Sequence, residues 1–248
     1  GKRVLSFDYY PLVNLDGRLY LNETWLRDTE RIAVCAERYG AQRHAFIQAM
    51  PIIGSRDRIP STAEIRLQAY VYLAYGYSMM SYFCYATPQV NFEFAEDAYA
   101  MIDRAGCRTP IYDSVKKVNR ELQDFAPAYL SMSWKGVLPV PGEGRPDCEG
   151  FSLLRCAKKT GDFPRIREVR TTDDLLIGGF EDEGGREGFI LVHYGDVSEK
   201  RTASVQIAFR NAAKVTVCRG GRKKVLPLED GRCSLRLGPG GGCFLLPE

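Results

Sequence analysis

Asp8, Tyr9 and Tyr10 close a short apolar run, Arg3 to Phe7, just ahead of Pro11. A carboxylate beside two aromatic rings suits a sugar. The carboxylate accepts from hydroxyls, and the ring faces cover C–H surface. The plainer alternative is a carboxylate capping the turn that follows. Gln48 lies near the end of a second run, His44 to Met50. Its amide donates and accepts hydrogen bonds but does not ionise, so it cannot be an acid, base or nucleophile. It either bonds substrate hydroxyls or is a satisfied polar group. Tyr82, Cys84 and Tyr85 close a third run. Cys84 as nucleophile would need a base, and His44 would have to reach it from the opposite end of a strand. A packed core cysteine is the better reading, with Tyr85 as a candidate substrate contact. Trp134 is a platform for a ligand or a plug between two units. His193 lies in a β-rich run and reads as structural.

Other charged residues have simpler explanations. Arg56, Asp57 and Arg58 form a cluster that reads as a solvated surface or a loop-bracing ion pair. Glu64 stands three residues after Ser61, and the pair makes a capping box at the start of a helix. That accounts for Glu64 without catalysis. Gly54 stands alone after its strand, so no phosphate-binding glycine loop is present there.

The elements that position these residues follow from spacing. Trp25, Thr29, Ile32, Ala33 and Ala36 predict a helix from about Glu23 to Tyr39, with Asn22 as cap and Gly40 as stop. Asp16-Gly17 marks a turn in the loop before it. A second helix runs from Ser61, with Leu67, Val71 and Ala74 as its apolar stripe and Ile65, Tyr72 and Tyr75 widening it. A third strand covers about Ser78 to Tyr85. The loop to Pro110 leaves room for a short helix around Ala95 to Arg104. A third long helix spans about Ile111 to Leu130 and is kinked or broken at Pro127. Strand followed by helix, repeated, predicts parallel strands with helices outside.

After Trp134 the texture changes. Short alternating runs follow at close intervals. Leu175 to Glu181 and Phe189 to Tyr194 flank Gly184-Gly185. Val205, Ile207 and Phe209 share one face. Arg219 to Lys224, with two glycines, reads as a hairpin turn, and Asp230-Gly231 as another hairpin. Many short strands at this spacing predict an antiparallel β-sandwich. The fold class expected is therefore α/β plus all-β: about three βα units of a partial TIM-type (β/α) barrel over residues 1–136, then a β-sandwich over 137–248.

The chain has 248 residues, 45% hydrophobic and 26% charged, with a net charge of +3. The cations are scattered, which argues against a nucleic-acid partner. No charge falls between Arg66 and Glu93, yet six tyrosines, Gly76 and several serines in that stretch argue against a membrane span. There are eight cysteines, no CxxC pair and two histidines. No structural metal site and no cofactor are expected. Cysteines within apolar runs behave as small hydrophobes, which favours a reducing compartment such as the cytoplasm. GKRVLSFDYYPL reads as the start of a strand, so no signal peptide is expected within this sequence.

Several phrases, taken together and in order, carry a resemblance. They are FDYYP at Phe7 to Pro11, FIQAM at Phe46 to Met50, RIPSTAEIRLQAYVYLAYG from Arg58 to Gly76 and SYFCY at Ser81 to Tyr85. TPIYDSVKKVNRELQDFAP from Thr109 to Pro127 and DLLIGGFEDEGG from Asp174 to Gly185 complete the set. The chain resembles the C-terminal portion of a retaining glycoside hydrolase of the (β/α)8-barrel type, in the β-galactosidase-like clan-A neighbourhood. The resemblance covers nearly the whole chain. It implies that the three strands are similar to barrel strands six, seven and eight, with the appended β-domain behind them. It also implies a carbohydrate ligand contacted by Asp8, Tyr9, Tyr10, Gln48, Tyr85 and Trp134.

Such enzymes use two carboxylates about 5 to 5.5 Å apart. In the resembled enzymes these stand at the ends of strands four and seven. The first strand has no counterpart here, and the second offers Gln48. No catalytic residue is therefore assigned, and the chain is expected to be inactive in isolation. Either the register is displaced, or the protein is a non-catalytic carbohydrate-binding or scaffolding module. A third possibility is an α/β enzyme of another class using Asp8. Two free barrel edges predict self-association.

Overall fold

The computed structural model describes residues 3–52, 58–146 and 148–248. Gly54, Arg56 and Asp57 lie outside the described residues. Strand β1 (Val4–Asp8) leads into a hairpin of β2 (Leu12–Leu15) and β3 (Arg18–Leu21). Asp16 and Gly17, both at positive φ, turn it. Sequence reading has only a turn here. Four-residue strands are too short to declare themselves by alternation. Helix α1 (Thr24–Arg38) follows, and Asn22 Oδ1 accepts from the Thr24 N–H, as expected of a cap.

Strand β4 (Gln42–Gln48), helix α2 (Thr62–Ala74) and strand β5 (Met79–Phe83) complete the parallel unit. β4 is central, and β1 and β5 flank it in parallel. The Ser61/Glu64 capping box is present in full. The stretch before Pro110 forms turns without the short helix that Ala95 to Arg104 suggested. Helices α3 (Pro110–Gln123) and α4 (Ala126–Leu130) replace one long helix. Pro127 sits in the first turn of the second, where its missing N–H costs nothing.

The rest is antiparallel. It comprises β6 (Ser133–Val140), the short helix α5 (Glu149–Ser152), β7 (Ile166–Thr171), β8 (Leu175–Glu181), β9 (Glu187–His193), β10 (Ala203–Phe209), β11 (Lys214–Arg219), β12 (Arg222–Pro227), β13 (Arg232–Leu237) and β14 (Gly242–Pro247). A six-stranded sheet runs β12-β11-β14-β9-β8-β6, and a three-stranded sheet runs β13-β10-β7. Residue 136 falls within β6.

Gly220-Gly221 turns the β11–β12 hairpin as expected. Asp230-Gly231 does something else. β12 pairs with β11, and β13 pairs with β10 in the other sheet. This turn therefore carries the chain between sheets. The same positive-φ turn chemistry serves either connection, and the partner is chosen by which face is buried.

The six-stranded sheet is covered on both faces. Phe189, Leu191, Cys243 and Leu245 face the smaller sheet. Ile190, Val192, Phe244 and Leu246 face the helices. Helix α2 lies between this sheet and the parallel one, and is buried on every side. The three-stranded parallel sheet is covered by helices on one face only. Leu5, Phe7, Met80 and Tyr82 lean toward that face by alternation, while Val4, Ser6 and Asp8 are exposed on the other.

Candidate functional site

The C-terminal ends of β1, β4 and β5 converge, and the 87–109 loop folds over them. Met50, Ile52, Phe94, Ala98 and Ala100 form a small buried cluster there, with Tyr10, Phe83 and Cys84 packed against it. Asp8 stands exposed at the tip of β1. The Tyr10 phenol lies near enough to feel that carboxylate, and the Tyr10 ring lies 5.4 Å from Phe83. Burial, together with that carboxylate, pushes the Tyr10 phenol well above its ordinary pKa, so it remains a neutral donor. Phe94 packs behind Phe83 at 6.2 Å and is itself buried. The arrangement can bind a polyol: a charged acceptor, a phenol and apolar ring surface share one rim.

The other expected contacts are placed differently. The Tyr9 hydroxyl lies 2.7 Å from Thr24 Oγ1, and its ring packs 5.7 Å from Phe7 on the helix side. Gln48 is fully buried. Its Oε1 accepts from the Leu12 N–H at 3.1 Å, and its own N–H donates to Gln68 Oε1 at 2.8 Å. Gln68 returns a bond to the Gln48 carbonyl at 3.1 Å. This exchange joins strand end, hairpin and α2, and holds the rim in place.

Trp134 is at the opposite end of the parallel sheet, near Gln42 and Ser78 at the strand starts. Its indole N–H donates to the Ala74 carbonyl at 2.9 Å, and the Arg43 guanidinium lies over its ring at 4.7 Å. That is the plug reading: the ring seals the C-terminus of α2 against β6. Tyr85, just past β5, is 61% exposed. It lines a cavity on the α3 side, away from the Tyr10–Phe83 cluster.

Arg58 is a loop brace of unexpected reach. It donates to Glu64 Oε1 at 2.8 Å, to both Asp196 oxygens at 3.0 and 2.9 Å, and to the carbonyls of Val13 and Tyr20. Glu64 thus caps α2 and pairs with a buried cation. Cys84 packs between Met50 Sδ and the Ala86 carbonyl, and burial raises its thiol pKa, which is the wrong direction for a nucleophile. His193 is structural: its Nε2 is 3.2 Å from Asp173 and its Nδ1 2.9 Å from the Gly238 carbonyl.

One polar row escaped sequence reading. On the uncovered face of the parallel sheet the His44 ring lies across all three strands, 2.9 Å from Ser6 Oγ and 2.9 Å from Ser81 Oγ. Alternation offered the signal, since Ser6/Asp8, His44/Gln48 and Ser81/Phe83 each sit two or four apart on one face.

No protein-family model and no characterised protein sequence matches the chain. Three solved structures to which it is similar are glycoside hydrolases. With an Anoxybacillus α-amylase the TM-score is 0.46 at 11% identity, covering 88% of this chain and 41% of that one. With a GH27 β-L-arabinopyranosidase from Geobacillus stearothermophilus the TM-score is 0.27 at 11% identity, over 95% of this chain and 63% of that one. A variant of the same enzyme in complex with arabinose scores 0.28. The chain thus spans well under half the length of the amylase. At these scores the likeness assigns neither a family nor an activity.

Proposed function

We propose that this chain is a carbohydrate-active protein built on glycoside hydrolase-like barrel units, with Asp8 and Tyr10 contacting the saccharide at the strand ends. In this reading residues 1–136 supply the strand ends and residues 137–248 the buttress behind α2. The observation that supports it is the exposed Asp8 carboxylate at the tip of β1, beside the Tyr10 phenol whose ring packs on Phe83. Parallel βα units present ligands at this end of the sheet. Tyr9, Gln48 and Trp134 act as positioning residues, because each is engaged with neighbouring backbone or side chains.

A specific observation favours binding over hydrolysis in the isolated chain. A retaining mechanism asks for a carboxylate pair. The tips of the three parallel strands carry Asp8, Gln48 and Phe83. Titration of the chain with lactose, arabinose and longer oligosaccharides tests the reading, alongside turnover of chromogenic glycosides. Saturable binding without turnover is expected, and Asp8→Asn should weaken it about tenfold, the cost of one charge-assisted hydrogen bond. Turnover by the isolated chain would overturn the binding reading. No saturable binding would overturn the carbohydrate reading itself. We further infer self-association through the unpaired edges of β1 and β5; a single monomeric species in light scattering at high concentration would refute it.

A further inference from the structure

A second cavity, of about 440 Å3, lies between β5 and α3. Tyr82, Tyr85, Tyr112, Lys116, Asn119 and Arg120 line it. It is separate from the strand-end rim. Phe83 points to the Tyr10 cluster, while Tyr82, its neighbour on β5, points to the opposite face and toward α3. Tyr112, Lys116, Asn119 and Arg120 recur at helical spacing, so α3 presents one continuous stripe to the cavity.

The stripe has unusual electrostatics. Lys116 and Arg120 are four residues apart on an exposed face, a like-charge spacing that destabilises a helix. Among the described residues neither has an ion-pair partner, and none of the cavity's lining residues is acidic. Arg108 adds a third cation at the edge, 4.5 Å from the centre of the Tyr112 ring. The tyrosine rings supply surface for C–H faces. Tyr82 donates to Asn119 Oδ1 at 2.5 Å, which fixes the carboxamide and leaves its Nδ2–H group to donate into the cavity. Its volume suits a small ligand.

We propose that this cavity is a second saccharide site that selects anionic sugars. The shared chemistry is a pyranose carrying a negative group, either the carboxylate of a uronate or a sulfate ester. Ring faces stack on Tyr85 and Tyr112, the Asn119 amide donates to a ring substituent, and Lys116 and Arg120 hold the anion. The inference rests on the carbohydrate reading above but uses none of the strand-end residues.

The test is calorimetric titration of the full chain with digalacturonate, a sulfated galactose disaccharide and neutral lactose. An anionic ligand should bind at least about tenfold more tightly than it does to a Lys116→Ala/Arg120→Ala variant, the loss expected for charge-assisted contacts. The salt dependence should flatten in that variant. Both positions are exposed, so the fold is expected to survive. Response to digalacturonate alone assigns uronates, and response to the sulfated sugar alone assigns sulfate esters. Asp8→Asn should leave anionic binding unchanged. Indifference of anionic binding to the double variant, or no anionic binding, would each overturn the proposal. The strand-end reading fails separately, if Asp8→Asn leaves neutral-sugar binding untouched.

Discussion

The six-stranded antiparallel sheet and the three-stranded parallel sheet meet α2 from opposite sides, and they are finished to different degrees. The antiparallel sheet buries both faces. Its strands therefore read as continuous apolar runs, with alternate residues going to different cores, such as Phe189 and Leu191 to one and Ile190 and Val192 to the other. The parallel sheet buries one face. Its other face carries Ser6, Asp8 and the His44 row, and no helix covers it among the described residues. Stability is concentrated where two layers close on a sheet, and polar side chains are exposed where only one does.

Close approach of α2 is what lets the two regions share a core. A side chain at Gly178 of β8 would collide with the Ala74 backbone, and one at Gly242 of β14 with the Tyr70 ring. Gly179 makes room on the opposite face, for Phe163 of the sandwich core. The Gly178-Gly179 pair thus accommodates one neighbour on each side of a single strand.

The sharpest way to break the contrast is to cut the link between the regions. Arg58→Ala leaves Glu64 and Asp196 buried without their cation and frees two hairpin carbonyls. A loss of about 3 to 5 kcal/mol in denaturant unfolding is expected. Hydrogen exchange should accelerate in the β2–β3 hairpin and the parallel strands before the six-stranded sheet. Uniform acceleration of both sheets would show that they form one cooperative unit.

A smaller effect probes the shared core. Gly178→Val should destabilise by about 1 to 3 kcal/mol, because a backbone neighbour cannot move aside as a side chain could. Gly161→Ala, with open space around it, should change stability by less than about 0.5 kcal/mol. Similar losses at both sites would refute the close-approach account.

The smallest effect separates the regions by pH. Asp173 lies at the β7–β8 connection. Burial alone would raise its pKa, but the Asp174 N–H, the His193 ring and Arg201 outweigh this and hold it below the usual carboxylate value. Its contribution is thus fully present above that value and is lost as pH falls through the depressed folded one. Asp173→Asn should therefore cost stability at neutral pH, and the gap from the parent chain should narrow below about pH 4. A gap that stays constant to low pH would remove ionisation from the explanation.

Much of this was legible in the residues. The Ser61/Glu64 box, the helix stop at Gly40 and the Gly220-Gly221 hairpin are local signals, and each performs as its spacing predicts. The role of Arg58 was half legible. A solvated surface or a loop-bracing pair was expected, and the partner that decides it, Asp196, lies 138 residues away, beyond any spacing argument. Asp173 likewise reaches His193 across 20 residues. The six contact candidates read as one set, yet folding joins Asp8 with Tyr10, buries Gln48 as a brace and sends Trp134 to the other end of the sheet.

By itself the sequence determined the order of elements, their periods and their caps, because these depend on groups a few residues apart. Only the tertiary structure decided which turn crosses between sheets, why α2 lacks a polar face, and which side of β5 holds a cluster and which a cavity. Those outcomes depend on surfaces distant in sequence meeting in space. Asp230-Gly231 shows the limit plainly: its turn geometry is written locally, and its strand partners are chosen by burial across the whole chain.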